Sequence, residues 1–82
     1  MKIEATLKLK NGGQVTQNWE LLDGDDEINF IAVVSEFENG DIIGIPIHKN
    51  LVEPIGNTGF AKFKYPSMLD ISNAEHIPRV GN

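Results

Sequence analysis

The sequence predicts a small, mostly β domain, and three observations carry that reading. Apolar and polar residues alternate from Lys2 to Lys10 and again from Val15 to Leu21, the period of strands with one buried face. Two Asn-Gly pairs, Asn11-Gly12 and Asn39-Gly40, separate such segments as hairpin turns do. The densest apolar stretch, Glu27 to His48, is rich in the β-branched residues Ile28, Ile31, Val33, Val34, Ile42, Ile43, Ile45 and Ile47.

The first hairpin has a readable face. Ile3, Ala5, Leu7 and Leu9 point one way, as do Val15, Gln17, Trp19 and Leu21 on the returning strand. A loop of Asn11-Gly12-Gly13 sets Leu9 opposite Val15, Leu7 opposite Gln17, Ala5 opposite Trp19 and Ile3 opposite Leu21. That register keeps the apolar residues together and predicts positive φ at Gly13. A two-residue loop pairing Leu9 with Gln14 mixes the faces. Leu22 to Asp26 is a polar connection. Its acids Asp23, Asp25 and Asp26, with Glu27, lack the glycine and glutamate spacing of a calcium loop and read as a solvated turn.

The central segment is expected to be a hairpin with a two-residue loop at Asn39-Gly40, pairing Phe37 with Ile42 and Val34 with Ile45. Its competitor is a helix over residues 25–38, capped by Asp25 or Asp26 and stopped by Gly40, which would make the fold α+β. Pro46 cannot donate to a ladder, so it belongs at an edge, a bulge or a strand end. Ile47 to Ile55 reads as a strand leaving into one helical turn. Gly56 to Gly59 is a turn and Phe60 to Tyr65 a last strand. The expected core is Leu7, Leu9, Val15, Trp19, Leu21, Phe30, Val33 or Val34, Ile45, Ile47 and Phe63.

These elements describe an all-β, five-stranded meander or small barrel with one short helical turn. In topology alone it resembles the SH3-like class, most of all in the strand–Pro–strand–turn segment from Ile45 to Val52. Residues 1–66 form the predicted small β-barrel domain and residues 67–82 a C-terminal extension. The extension carries Met68, Leu69, Ile71, Ile77 and Val80 with neither a strand nor a helix period. These apolar residues are the predicted partner-binding set, for a second copy or another protein, because a domain this small gains much from a shared core.

Seven basic residues against twelve acidic ones give a formal net charge of −5 in 82 residues, which argues against a nucleic-acid backbone as the first partner. The chain is cysteine-free, so neither disulfides nor thiolate metal sites are expected. With no apolar run behind Met1 and no membrane-length stretch, a cytoplasmic location is the expectation. Ser35, Ser67 and Ser72 lie in no nucleophile elbow, and no glycine loop carries the lysine and hydroxyl of a phosphate site. His48 and His76, with Asp23 to Asp26, are the residues a small enzyme or metal protein would use. Lys62, Phe63, Lys64 and Tyr65 interleave cations with aromatic rings, the pattern of a single-strand stacking platform. An aromatic core with two lysines on a solvated edge explains them better. The reading is a non-catalytic protein-binding module or small regulatory or inhibitory subunit, with no cofactor. A nucleic-acid-binding barrel using Lys62, Phe63, Lys64 and Tyr65 is the alternative.

Overall fold

A computed structural model describes residues 1–79. Among the described residues there are eight strands: β1 (Lys2–Lys8), β2 (Gln14–Asp23), β3 (Asn29–Glu36), β4 (Ile42–His48), β5 (Val52–Pro54), β6 (Phe60–Phe63), β7 (Leu69–Asp70) and β8 (Glu75–Ile77). Short 3-10 turns at Lys49–Leu51 and Ile71–Asn73 follow β4 and β7. The strand order is β5-β6-β1-β2-β3-β4-β8, with β7 also on β1, so the sheet is open and mixed. A five-stranded meander or SH3-like barrel was expected, and β1 to β4 are consecutive neighbours as in a meander. Among the described residues the order ends on two edges, β5 and β8, instead of closing. The extra strands are two or three residues long, too short to show a period in sequence.

Residues 25–38 do not form the competing helix, since Asn29 to Glu36 is a strand. The β-branched residues of this segment lose side-chain freedom in a helix and fit a pleated surface. The two hairpins show their strands where expected, but the first turn begins one residue earlier than expected and the second is one residue longer. In the first, Gly12 N–H donates to Leu9 O at 3.1 Å, Leu9 N–H to Gly13 O at 2.8 Å, and Gly12 has φ 86°. In the second, Gly40 N–H donates to Phe37 O at 3.0 Å, Phe37 N–H to Asp41 O at 2.8 Å, and Gly40 has φ 94°. Each is a three-residue loop, Lys10-Asn11-Gly12 or Glu38-Asn39-Gly40, whose glycine takes the left-handed position. The asparagine explains the choice. Asn11 Oδ1 accepts from Gly13 N at 2.8 Å, and Asn39 Oδ1 from Asp41 N at 3.0 Å. A two-residue Asn-Gly loop would require positive φ at asparagine, and no described non-glycine residue has it.

The registers move accordingly. Leu7 faces Val15 and Ile3 faces Trp19, two residues from the expected pairing, so the apolar face survives the shift. Between β3 and β4 the ladder slips between Val33 and Ser35, leaving Val34 bulged. Glu36 therefore meets Ile42, Ala32 meets Ile45, and the expected Phe37–Ile42 and Val34–Ile45 pairs do not form. Pro46 pairs with Ile31 beyond the reach of β8, which covers only Ile42 to Gly44, so it sits where β4 is an edge. Gly12→Ala should therefore cost about 1 kcal/mol, since a Cβ there meets only the unfavourable φ. Gly13, expected at positive φ, does not have it, but a Cβ there would stand 3.0 Å from Asn11 Oδ1, the acceptor of its own N–H. Urea unfolding of Gly12→Ala checks that cost, and an unchanged stability would contradict the left-handed position of Gly12.

The core joins Ile3, Ala5 and Leu7 of β1 to Trp19 and Leu21 of β2, Ala32 of β3 and Ile45 and Ile47 of β4. Val52, Ala61 and Leu69 of the short strands complete it. Leu9, Phe30, Val34 and Phe63 are half-buried against it. Val15 was expected inside and is 36% exposed. β3 pairs with β2 only over Leu21–Asp23, so among the described residues no strand continues beside Val15 on the side away from β1.

Candidate functional site

The outer face of β3, β4 and β8 carries the most site-like feature. Ile31 and Pro46 are cross-strand partners, as are Ile42 and Ile77, and these four side chains floor a groove of about 550 Å³. The β2–β3 connection forms one wall, bringing Asp23, Asp25 and Asp26 to the rim, while Glu75 and Arg79 stand on the opposite side. Gly44 lets the floor close. It pairs with Val33 and Glu75, and a Cβ on it would strike Cγ2 of Ile31 and lie 3.2 Å from Cδ1 of Ile77.

The acidic wall is locally built. Asp26 Oδ1 accepts from the backbone N–H of Ile28 at 3.1 Å and of Asn29 at 2.8 Å, and Asn29 Nδ2 donates to Asp26 Oδ2 at 3.1 Å. Gly24 N–H donates to Asn29 O at 3.0 Å and closes the connection. Lys49 braces it from below, 3.1 Å from Asp23 Oδ1 and 5.1 Å from the centre of the Phe30 ring. This is the solvated turn expected of the acid cluster. Among the described residues no three histidine, aspartate or glutamate side chains converge as a metal would require.

A second centre lies at the other end of β4. Asp41 is the buried charged residue of the described chain, 8% exposed. Its Oδ1 accepts from Arg79 N at 3.1 Å. Its Oδ2 lies 3.0 Å from His76 Nε2 and 3.3 Å from Asn39 Nδ2. The Phe37 ring meets His76 edge-on at 5.4 Å. The β3–β4 turn thereby fastens β8 and the chain beyond it, across 35 and 38 residues of sequence. An Asp-His pair orients a base in hydrolytic triads, but the described hydrogen bonds here lead to Asn39 and Arg79, not to a hydroxyl. His48 serves differently, its Nδ1 accepting from Asn50 N at 3.2 Å to cap a 3-10 turn. The two histidines stand at opposite ends of β4, since His76 faces Ile43 and His48 is the last residue of the strand.

The arrangement has a pH consequence. The Arg79 N–H holds the Asp41 carboxyl below its ordinary 3.8, with His76 and Asn39 assisting against partial desolvation. The Ser72 backbone and hydroxyl lower Asp70. Desolvation acts against Asp26, yet the hydrogen bonds from Asn29 and Ile28 lower it on balance. Carboxyls lowered in the folded state contribute stability that is present above their unfolded value and lost as pH falls through the folded one. The melting temperature should hold from neutral pH to about 4 and fall below it. Asp41→Asn should flatten that fall, and an unchanged acid slope would assign it to other groups.

The residues predicted from sequence are dispersed. Leu69 is buried against the core and pairs with Leu7, Met68 is exposed, and Ile71 is half-buried in a 3-10 turn. Ile77 lies in β8 and floors the groove. Val80 lies outside the described residues. Of the cation–aromatic set, Phe63 packs on the core, Lys62 Nζ is 3.5 Å from Glu53, and Lys64 and Tyr65 are exposed. β6 pairs with β1 only at Phe60 and Ala61, so Lys62 lies beyond that ladder and Lys64 beyond the strand, both exposed beside a Phe63 that packs on the core. The groove and the Asp41 centre escaped sequence reading, since both join segments that no local pattern links.

Among the described residues no helix is long and apolar enough to cross a membrane. Compared with known proteins, the chain matches no family model, no curated protein and no solved structure.

Proposed function

We propose that this chain is a non-catalytic protein-binding module, a small regulatory or inhibitory subunit, and that the groove receives a segment of its partner carrying both aliphatic and basic side chains. The observation that supports this is the make-up of the groove: a floor of Ile31, Ile42, Pro46 and Ile77 under Asp23, Asp25, Asp26 and Glu75, against the single cation Arg79 on its rim. An aliphatic side chain on the floor gains from leaving water, and a lysine or arginine beside it reaches the carboxylates. Lys49 already pairs with Asp23, so Asp25 and Glu75 are the acids best placed to choose the partner. The net charge of −5 steers cations in the same direction.

A synthetic peptide of alternating leucine and lysine is the probe. Titrated into the isotope-labelled chain, it should shift the amides of Asp23 to Asn29, Ile31, Glu75 and Ile77. Asp25→Lys with Glu75→Lys should weaken it about tenfold or more, and raised salt should do the same. Shifts elsewhere, or equal binding by the charge-reversed variant, would overturn the assignment of the groove. The cation–aromatic segment adds little to a nucleic-acid reading, because Phe63 and Lys62 are engaged within the fold.

A further inference from the structure

Among the described residues, the amino-terminal half of β2 pairs with β1 alone. In an antiparallel pair, residues alternate between exchanging both backbone hydrogen bonds with the partner and pointing them away. Leu21 N–H donates to Met1 O at 2.7 Å and Leu9 N–H to Gly13 O at 2.8 Å, which fixes the odd-numbered residues of β2 as those bonded to β1. The N–H and C=O groups of Gln14, Thr16, Asn18 and Glu20 therefore point away from β1. β3 meets β2 only at Leu21–Asp23, so it does not take up those of Gln14 to Asn18. All five residues from Gln14 to Asn18 are exposed, Val15 included.

The other free edges are protected as sheet edges usually are. β5 is three residues long, carries Glu53 and ends on Pro54. β8 is three residues long and carries Glu75. β3 has its bulge at Val34 and then Glu36. Gln14-Val15-Thr16-Gln17-Asn18 has no charge, no proline and no bulge. It is also close to self-complementary about Thr16, with amide side chains at both ends and Val15 and Gln17 flanking the centre.

We propose that a second copy of this chain adds to this edge, β2 against β2, antiparallel about a two-fold axis through Thr16. In that register Thr16 exchanges both backbone hydrogen bonds with its counterpart, and Gln14 does so with Asn18 of the second copy. Val15 lies beside Gln17 of the second copy and loses its exposure. On the outer face, Thr6 and Thr16 hydroxyls already lie 2.7 Å apart, so a row of four threonines would cross the joint sheet. The nearest charge on the edge, Glu20, falls opposite Gly12 of the second copy, so no like charges meet. A two-fold contact of this kind is closed and stops at the dimer. The groove lies on β3, β4 and β8, so the dimer stands or falls independently of it.

The test uses the full chain. Sedimentation velocity from ~10 μM to ~1 mM, a range that brackets weak association, should show a monomer passing to a dimer. Thr16→Lys should weaken that association about tenfold or more by opposing like charges on the axis. Thr16→Glu should do the same, and an equal mixture of the two should associate again. Hydrogen exchange on the unaltered chain supplies a readout free of folding defects. The amides of Gln14, Thr16 and Asn18 should gain protection with concentration, while those of Val15 and Gln17, held by β1, are protected throughout. A chain monomeric at ~1 mM, or one whose dimer leaves the Thr16 amide unprotected, would overturn the proposal.

Discussion

Replacing Trp19 with alanine lowers the unfolding free energy by about 3–5 kcal/mol, seen as a fall in melting temperature of roughly 15–30 °C. The expectation rests on position. Trp19 is 4% exposed and stands opposite Ile3, itself fully buried, where the two strands of the first hairpin meet the rest of the core. Its ring N–H donates to Ala5 O at 2.9 Å, so the indole reaches past its direct partner to the small residue two places along β1. Removing the ring deletes the largest side chain in the core cluster and leaves a space its rigid strand neighbours cannot fill. A domain of this size has a total stability of about 5–15 kcal/mol, so the variant stands near the limit of folding. Trp19→Phe, which keeps most of the ring and loses the N–H, should cost roughly 1–2 kcal/mol. Urea unfolding followed by near-ultraviolet circular dichroism separates the two. A melting temperature unchanged in Trp19→Ala would place the indole outside the core.

The apolar face holding Trp19 was legible because alternation survives an error of two residues. Leu7 meets Val15, not Gln17, yet every residue of the first hairpin keeps its side of the sheet. The turns were misread for a chemical reason, the first placed one residue late at the right length and the second made one residue too short. Asn-Gly suits a two-residue loop, but it also suits a three-residue loop with asparagine at its centre, in which asparagine accepts the N–H two residues on. The side chains of Asn11 and Asn39 select the second in both hairpins. Val15 was misread because alternation reports which face a residue is on, not whether another strand arrives to cover it.

The candidate site was legible only in pieces. The acids at Asp23, Asp25 and Asp26 were visible as a turn, and Ile77 as an apolar residue without a period. Nothing local tells that the connection and β8 flank the same face of β4, because strand pairing across 30 or more residues leaves no trace in a single sequence. Asp41 illustrates the limit. In sequence it is one more acid after an Asn-Gly turn; in the fold it is buried and binds His76 and the backbone of Arg79. Gly44 was equally silent, a glycine within an isoleucine-rich strand whose reason lies in two other strands.

Gly44→Val should destabilise the domain by about 1–3 kcal/mol and do so from the outer face of the sheet. A Cβ at this position collides with Cγ2 of Ile31 and crowds Cδ1 of Ile77 at 3.2 Å. The two neighbours yield unequally. Cδ1 is the end of a flexible side chain, while Cγ2 sits on the branched Cβ of Ile31 and moves only by rotating the whole side chain out of its strand rotamer. Ile31 is held opposite Pro46 in the middle of β3, so the strain passes more easily to the three-residue β8. The amides that pair β8 with Ile42 and Gly44 should then exchange faster than those between β3 and β4. The groove floor, which includes Ile31 and Ile77, should lose its shape together with the peptide binding proposed for it. Gly44→Ala should lie between the two, because its single methyl meets Ile31 without the added branches. Amide exchange and thermal melting of both variants measure these effects separately. An intact β8 with an unchanged melting temperature in Gly44→Val would show that Ile31 and Ile77 do not close over this glycine.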